Sequence, residues 1–431
     1  MNRKTNLLIL LAGLALPQVL QAATYSVFSG QSIQTKIDAA SNGDTVAIFG
    51  GSYTENLTVS KDVRLQLVAG QTVTLAGNIT FSGLNNAYTF GNFNFGGQSD
   101  KAITINNCKS FTLSSVKSSI GNIVVTGSNC YANVFNSTLG SGAITVSDQA
   151  TADFARCTVT GNVTVSSTVK RATFSRCTVT EAIDSSATIT CVAYSTLRFF
   201  RQRGNGKAYL VGNTINERNY SVDRGMTWTI EAFDSSRIFL KNNIIRQGSS
   251  GNYSSNEEAV RISSLAQLEA LNNVIYDYTD GYYGWGRAIR LEGSTGSLIS
   301  SNIGYTIQNE FVIGPFANNS VTYNLSQTGE SGGVLLQNRV NADPAFVNTT
   351  DFVLGPTSPA RNAGDPDPRF NDIDGTRNDM GIYGGPFYDP EGRTGSKPVV
   401  MQMELDQTQF LRGDYSTLKL KAVGSATGTA P

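Results

Sequence analysis

Histidine is absent from this 431-residue chain. Its absence excludes imidazole acid–base catalysis, Ser-His-Asp triads and histidine metal sites, so any chemistry rests on carboxylates, arginine, lysine, tyrosine or an oxygen-ligated ion such as calcium. Cysteine is scarce. There are five, an odd number with no CxxC pair, which gives no thiolate metal signature and leaves at least one thiol free or intermolecular. Charge is also low, with 15% charged residues and 33 basic against 33 acidic side chains. Such a balance gives no general field for nucleic acid, so a polyanionic partner would need a local basic patch. Beyond the first twenty or so residues, no apolar run is long enough to cross a bilayer.

What is present matches many short strands and tight bends. Glycine numbers 43 and proline only 11, and serine, threonine and asparagine are abundant. Met1 to Ala22 carries Arg3 and Lys4, an apolar run from Leu7 to Leu16 and small residues at Ala22 and Ala23, the pattern of a secretory signal peptide over 1–22. The expected product is an exported, periplasmic or extracellular protein, possessing no membrane span and monomeric. Removing Arg3 and Lys4 leaves 31 basic against 33 acidic residues.

The chain is organised around a phrase that recurs from Thr229 to Ile303: an alternating strand, a second strand, then Asn and an apolar residue. It reads TIEAF and FLKNNII, AVRIS and EALNNVI, AIRLE and LISSNIG. Superposing Asn243, Asn273 and Asn302 aligns Ile230, Val260 and Ile289 in one column and Ala232, Ile262 and Leu291 in another, with Glu231, Arg261 and Arg290 between them. Neighbours in a strand face opposite sides, so the apolar columns are expected to face in and the charged column out. A unit of this kind cannot bury its apolar face alone and must stack on its neighbours, the signature of a solenoid. The repeated Asn is expected to occupy the corner of each turn, tolerating a left-handed backbone and bonding the amide one rung away. Ser137, Cys157, Cys177, Ser195 and Asn213 fall at the same corner, at spacings of 20, 20, 18 and 18 residues, which lengthen to 30, 30 and 29 before falling to 22 at Asn324. Cys157 and Cys177 are therefore expected to be neighbours, either bridged or stacked as thiols.

The N-terminal part carries a resemblance. A short amphipathic helix with Ile33, Ile37 and Ala40, followed by NGDTVAIFGGSYTENLTV from Asn42, resembles the N-terminal cap and first rung of the pectin-lyase-like right-handed parallel β-helix proteins. NADPAFVNTTDFVLGPTSPARNAGD and DIDGTRNDMGIYGGP resemble the closing segment of bacterial secreted β-helix proteins. The resemblance implies an all-β, single-stranded right-handed parallel β-helix over about 24–340 with a capping helix, and a closing segment over 341–386. Residues 387–397 read as a linker rich in Gly, Pro and charge, and 387–431 as a whole as linker plus a two-stranded partial module or tether. Asp372, Asp374 and Gly375 suit a turn better than a calcium loop.

Long rungs differ from short ones by insertions after each Asn corner: NERNYSVDRGM from 216, RQGSSGNYSSNEE from 246 and YDYTDGYYGWGR from 276. Insertions in a solenoid collect on one face, often the binding face. These insertions carry Tyr282, Tyr283 and Trp285, rings suited to stacking on sugars, and the acids Glu257, Glu258, Asp277 and Asp280. LRFFRQRGNGK adds Arg201 and Arg203, with Arg201 extending the charged column, and its guanidinium groups suit the carboxylates of an acidic polymer. The expected partner is thus an acidic polysaccharide, with Arg201, Arg203, Tyr282, Tyr283, Trp285 and Glu292 as binding residues. Resemblance to pectate and alginate lyases implies β-elimination of a uronate, with Arg261 or Arg290 as base. It also implies Ca²⁺, held by Glu231 with Glu257, Glu258, Asp277 or Asp280. These roles follow from position, since no lyase signature is present. Two other readings stand beside it: a non-catalytic glycan-binding or adhesive solenoid, and a glycoside hydrolase using Glu231 with a second carboxylate such as Glu292.

Overall fold

The computed structural model describes residues 22–95, 100–118, 121–140, 142–217, 228–247, 258–276, 287–307, 311–314, 318–327, 338, 342–392, 399–405 and 420–425. The chain forms a parallel β-solenoid of about 12 turns. Each turn contributes short strands to up to three faces, and every strand pairs in parallel with its equivalent one turn on. The phrase read from the sequence supplies the register. Ile230, Val260 and Ile289 are partners, as are Glu231, Arg261 and Arg290, and Ala232, Ile262 and Leu291. Both apolar columns lie fully inside, at 0–1% exposure.

The same column runs the length of the first face. It begins Thr58, Thr80, Thr104, Val124, Thr145, Thr164, turns charged at Asp184, Arg201, Glu231, Arg261 and Arg290, and ends at Ile313. Arg201 is therefore a full member. The neighbouring strand carries a register shift between Val179 and Ala182.

The corner is a hydrogen-bond ladder: where the next turn's corner residue is serine or asparagine, its side chain accepts from the backbone N–H of the corner residue before it, whereas the Cys157 and Cys177 thiols donate to backbone carbonyls. Val116 N–H reaches Ser137 Oγ (3.2 Å), Cys177 N–H reaches Ser195 Oγ (3.0 Å) and Ser195 N–H reaches Asn213 Oδ1 (2.9 Å). From Asn213 the rung is doubled, because each Asn also donates Nδ2–H to the next Oδ1, through Asn243, Asn273, Asn302 and Asn324 at 2.8–3.0 Å. Asn338 closes the series, accepting from Asn324 N–H at 2.6 Å. One expectation is corrected. The left-handed residue is the one before each ladder Asn: Gly212, Asn242, Asn272, Ser301 and Tyr323, at φ between 54° and 65°. The bend and the ladder are separate tasks, and the Asn-Asn doublets assign one residue to each. At position 212 only glycine fits, because a Cβ there would lie 2.3 Å from the Tyr194 ring.

Cys157 and Cys177 are neighbours, with Thr178 N–H bonded to Cys157 O at 2.8 Å. They stack as buried thiols, and all five cysteines are buried with no disulfide among them. Cys191 lies on the outer side of the second face, where the strand Val399–Leu405 runs beside Ile189–Ala193 and Lys207–Val211. That strand pairs antiparallel with Leu420–Ser425.

Among the described residues there is one α-helix, Ile33–Ala39, between the parallel-paired strands Thr24–Val27 and Thr45–Ile48. Ser32 caps it, accepting from Thr35 N–H, and the Glu55 carboxylate accepts from the N–H groups of Ile33 and Gln34, satisfying its first-turn donors. At the other end, residues 342–392 run back along the outside of the solenoid. Phe352, Leu354, Ala360, Ala363, Met380 and Ile382 cover an outward apolar column, Ile244, Val274, Ile303 and Leu325, each the residue after a ladder Asn. The left-handed corner residues hold this strap. Asn242 Nδ2 donates to the carbonyls of Ile382 (3.0 Å) and Gly384 (2.8 Å), Asn272 Nδ2 donates to Asn378 Oδ1 and Asp379 O (both 2.7 Å), and Ser301 Oγ accepts from Asp365 N–H (3.0 Å). The strap extends through residues 387–392. Phe387 lies under the Lys241 ammonium at 3.5 Å, and Gly392 O accepts from Arg176. The Asp372–Thr376 segment is a turn, in which Asp374 accepts from Thr376 N–H and Asp372 from Gly385 N–H.

Candidate functional site

The charged part of the first face holds two ion-pair clusters, and the charge of Arg261 in the second acts on Glu231 in the first. Arg201 donates Nε–H to Glu231 Oε2 at 2.7 Å, pairs it again through Nη2 at 2.5 Å, and reaches Asp184 through Nη1 at 3.4 Å. Arg203 also pairs with Asp184 at 3.3 Å. Two turns on, Arg261 gives Nε–H and Nη2–H to Glu292 Oε2 at 2.9 and 2.7 Å, and Arg290 pairs with Glu292 Oε1 at 2.6 Å. Ser263 Oγ adds a donor to Glu292 at 3.3 Å. Four arginines face three carboxylates, so this patch carries one excess positive charge where the shorter turns carry threonine.

Aromatic rings frame the network at both strand ends. The Arg261 guanidinium lies 3.9 Å from the centroid of the Trp228 ring, and Phe233 lies 5.8 Å from Arg201 and 5.4 Å from Arg203. A guanidinium stacked on a ring and bonded to a carboxylate is held in a fixed plane with its remaining edge presented outward. Neither Trp228 nor Phe233 was picked out from the sequence. The signal was available, because Phe233 ends TIEAF and Trp228 stands in register with Glu258 and Arg287.

Glu231 departs from expectation. It occupies the outward column, yet it is 2% exposed. The residues two places before each charge, Thr229, Ala259 and Ala288, are also fully buried. Burial dominates the Glu231 carboxyl and raises its pKa above the ordinary value. The charge and hydrogen bond of Arg201 act in the opposite sense, followed by Arg261 and Arg203. Its Oε1 is buried with no hydrogen-bond partner. Glu292 behaves oppositely. Burial again pushes upward, but the Arg261 hydrogen bond and the charges of Arg261 and Arg290 outweigh it and hold the carboxyl below its ordinary value.

The structure thus brings Arg201, Arg203, Glu231, Arg261, Arg290 and Glu292 onto one face. Tyr282, Tyr283, Trp285, Glu257, Asp277 and Asp280 lie outside the described residues, and Glu258 is described only through its backbone, paired with Trp228 and Arg287. Among the described residues, no group of three or more acidic or thiol side chains is placed to hold a metal ion. Glu231, the proposed calcium ligand whose side chain is described, faces Arg201 and Arg261. A cationic setting of that kind does not fit a divalent cation, and no step is routed through one. Among the described residues no helix is long and apolar enough to cross a membrane.

Comparison of the chain with protein-family models, with curated proteins and with solved structures found no match.

Proposed function

We propose that this chain is an exported, pectin-lyase-like right-handed β-helix protein that binds an acidic, uronate-type polysaccharide along the charged face, with the helix Ile33–Ala39 covering the open end of the solenoid. The observation that carries this reading is the placement on one face of Arg203, Arg261 and Arg290, 44%, 24% and 32% exposed at their side chains, with Arg203 beside the Phe233 ring and Arg261 beside the Trp228 ring. Consecutive turns stand ~4.8 Å apart. Guanidinium groups at that pitch can pair with carboxylates along an extended chain. Arg201 instead directs Nε, Nη1 and Nη2 to Glu231 and Asp184, and its role is to hold Glu231 in place.

Binding is favoured over catalysis at the arginines, because a base role for Arg261 requires breaking its two bonds to Glu292. One observation supports β-elimination as a second reading. Glu231 is a buried carboxyl with a raised pKa and a partnerless oxygen, the condition of a group that can hold a proton for transfer. The test is to incubate the protein with polygalacturonate, alginate and neutral dextran. Retention of the acidic polymers alone, weakening as salt is raised, is expected. A rise in ultraviolet absorbance from unsaturated product would establish cleavage, and equal retention of dextran would remove the acidic-polymer reading.

A further inference from the structure

At the N-terminal end of the molecule, Thr24–Val27 is the edge strand of its sheet, paired in parallel with Thr45–Ile48. Ala23, the residue before it, is held at both of its backbone groups. Its N–H donates to Asp44 Oδ1 at 2.7 Å, and its carbonyl accepts from Thr45 N–H at 2.8 Å. The second Asp44 oxygen, Oδ2, accepts from Ser41 N–H at 2.7 Å. Asp44 is 7% exposed, and the amides of Ser41 and Ala23 hold its carboxyl below the ordinary carboxylate range, so it is ionised at neutral pH. Among the described residues no lysine or arginine acts on this carboxylate. An aspartate so well covered ordinarily has a cation beside it. Of its two partners, Ala23 is the one that stands where the secretory signal ends.

We propose that the chain is processed at the Ala22–Ala23 bond and that the α-ammonium of Ala23 released there pairs with Asp44, locking the edge strand onto the solenoid. The inference rests on the export reading above and deepens it by naming the bond that is cut and the residue that receives the new terminus. The step is a hydrolysis. An export endopeptidase that favours small residues adds water across the bond, hydroxyl to the Ala22 carbonyl carbon and hydrogen to the Ala23 nitrogen. The freed amine then takes a proton from solvent at neutral pH. Because the Ala23 carbonyl stays bonded to Thr45 N–H, the nitrogen keeps its place and its bond to Asp44 becomes charge-assisted. The sequence pattern permits a cut after Ala22 or after Ala23, since both are small. Geometry separates the two. A cut after Ala23 would remove the donor to Asp44 Oδ1 and leave the carboxylate with Ser41, whereas a cut after Ala22 keeps that donor and adds the missing positive charge. The unprocessed chain cannot make this pair, so the edge strand tightens only once the signal has been removed.

Mass spectrometry of the protein recovered from a secreting bacterial host is the first test, and Ala23 is expected as its first residue. Any other first residue would overturn the inference and leave export standing, whereas a full-length chain retained in the cytoplasm would remove both. Hydrogen exchange over Thr24–Val27 is the second test. It compares the exported protein with a chain carrying a Gly-Ser extension before Ala23, whose amide keeps the hydrogen bond to Asp44 without the charge. Asp44→Asn is expected to speed exchange about tenfold more in the Ala23-first protein than in the extended one. The extended chain accounts for the hydrogen bond lost because asparagine has a single side-chain oxygen. Equal acceleration in the two backgrounds would show that no ion pair forms and would overturn the inference. Retention of polygalacturonate is expected to be the same in all of these proteins, which separates this site from the charged face.

Discussion

The solenoid has two halves with one interior and two exteriors. From Leu57 to Val165 the turns are lean. The outward column is Thr58, Thr80, Thr104, Val124, Thr145 and Thr164, and the corner advances from Phe93 and Val116 to Ser137 and Cys157. From Asp184 onward the same positions carry charges, the corner carries amides, the turns lengthen and a strap covers the flank. Inward residues are buried and mostly apolar in both halves, with Ser185, Thr190 and Gln202 as buried polar exceptions. Stacking needs only the interior, so a change confined to the exterior has another cause.

The corner also shows why the loaded half needs stronger locks. A corner serine side chain accepts the N–H of the turn before, whereas the corner thiols of Cys157 and Cys177 only donate to backbone carbonyls. An asparagine supplies that acceptor and two donors, and so ties three successive turns together. Asn273 accepts from Asn243 N–H and Nδ2–H and donates to Leu240 O, Leu271 O and Asn302 Oδ1. Turns interrupted by long insertions gain most from such a tie.

The comparison can be broken most forcefully at that corner. Asn273→Ala leaves several buried groups unsatisfied at ~1–3 kcal/mol each, so a loss of about 4 kcal/mol in urea unfolding is expected. Ser137→Ala in the lean half should lose about 1 kcal/mol. Equal losses would mean that the amide ladder has no special role. Next comes the charged column. Arg201→Ala removes the direct partner of a buried carboxylate and is expected to cost about 3 kcal/mol, whereas Thr164→Ala, at the same column position two turns earlier, should stay within ~0.5 kcal/mol. The strap gives a further contrast. Phe352→Ala empties a site buried to 1% exposure and should cost about 3 kcal/mol, and it should speed proteolysis after residue 341 while the lean half stays intact on gels.

The smallest effect concerns Glu231. A carboxyl whose pKa is raised on folding contributes stability that is complete below its unfolded pKa and is lost as pH rises through the folded value. Ionised Glu231 is therefore a net burden at neutral pH, even with Arg201 beside it. Glu231→Gln is expected to match or exceed wild-type stability by up to ~1 kcal/mol at pH 7, and the gain should shrink towards pH 4. A variant less stable than wild type at pH 7 would show that the Arg201 attraction outweighs burial.

The register of the loaded half was legible because charges flanked by apolar residues at period two leave one alignment. The corner was legible for the same reason, since Asn recurs there. Registers before Val125 were not, because strands such as Val73–Leu75 and Leu57–Val59 have only three residues and their Thr-Val pattern fits several alignments. The apolar residue after each ladder Asn was seen in the sequence, but its outward direction was not. Ile244, Val274, Ile303 and Leu325 look like core residues, and only the docked strap explains why they are apolar. Trp228 stands in the column of Glu258 and Arg287 that the same alignment defines, but its stacking on Arg261, 33 positions on in the chain, is not written in local pattern.

The most direct test of the charged face compares polygalacturonate binding by the wild type and by the double variant Arg261→Ala/Arg290→Ala, using affinity electrophoresis at low and moderate salt. The account predicts binding by the wild type, at least tenfold weaker binding by the double variant, and melting temperatures within about 3 °C of each other. Equal binding by the two proteins, across uronate and sulfated polymers alike, would contradict it and leave the charged column as a surface ion-pair ladder.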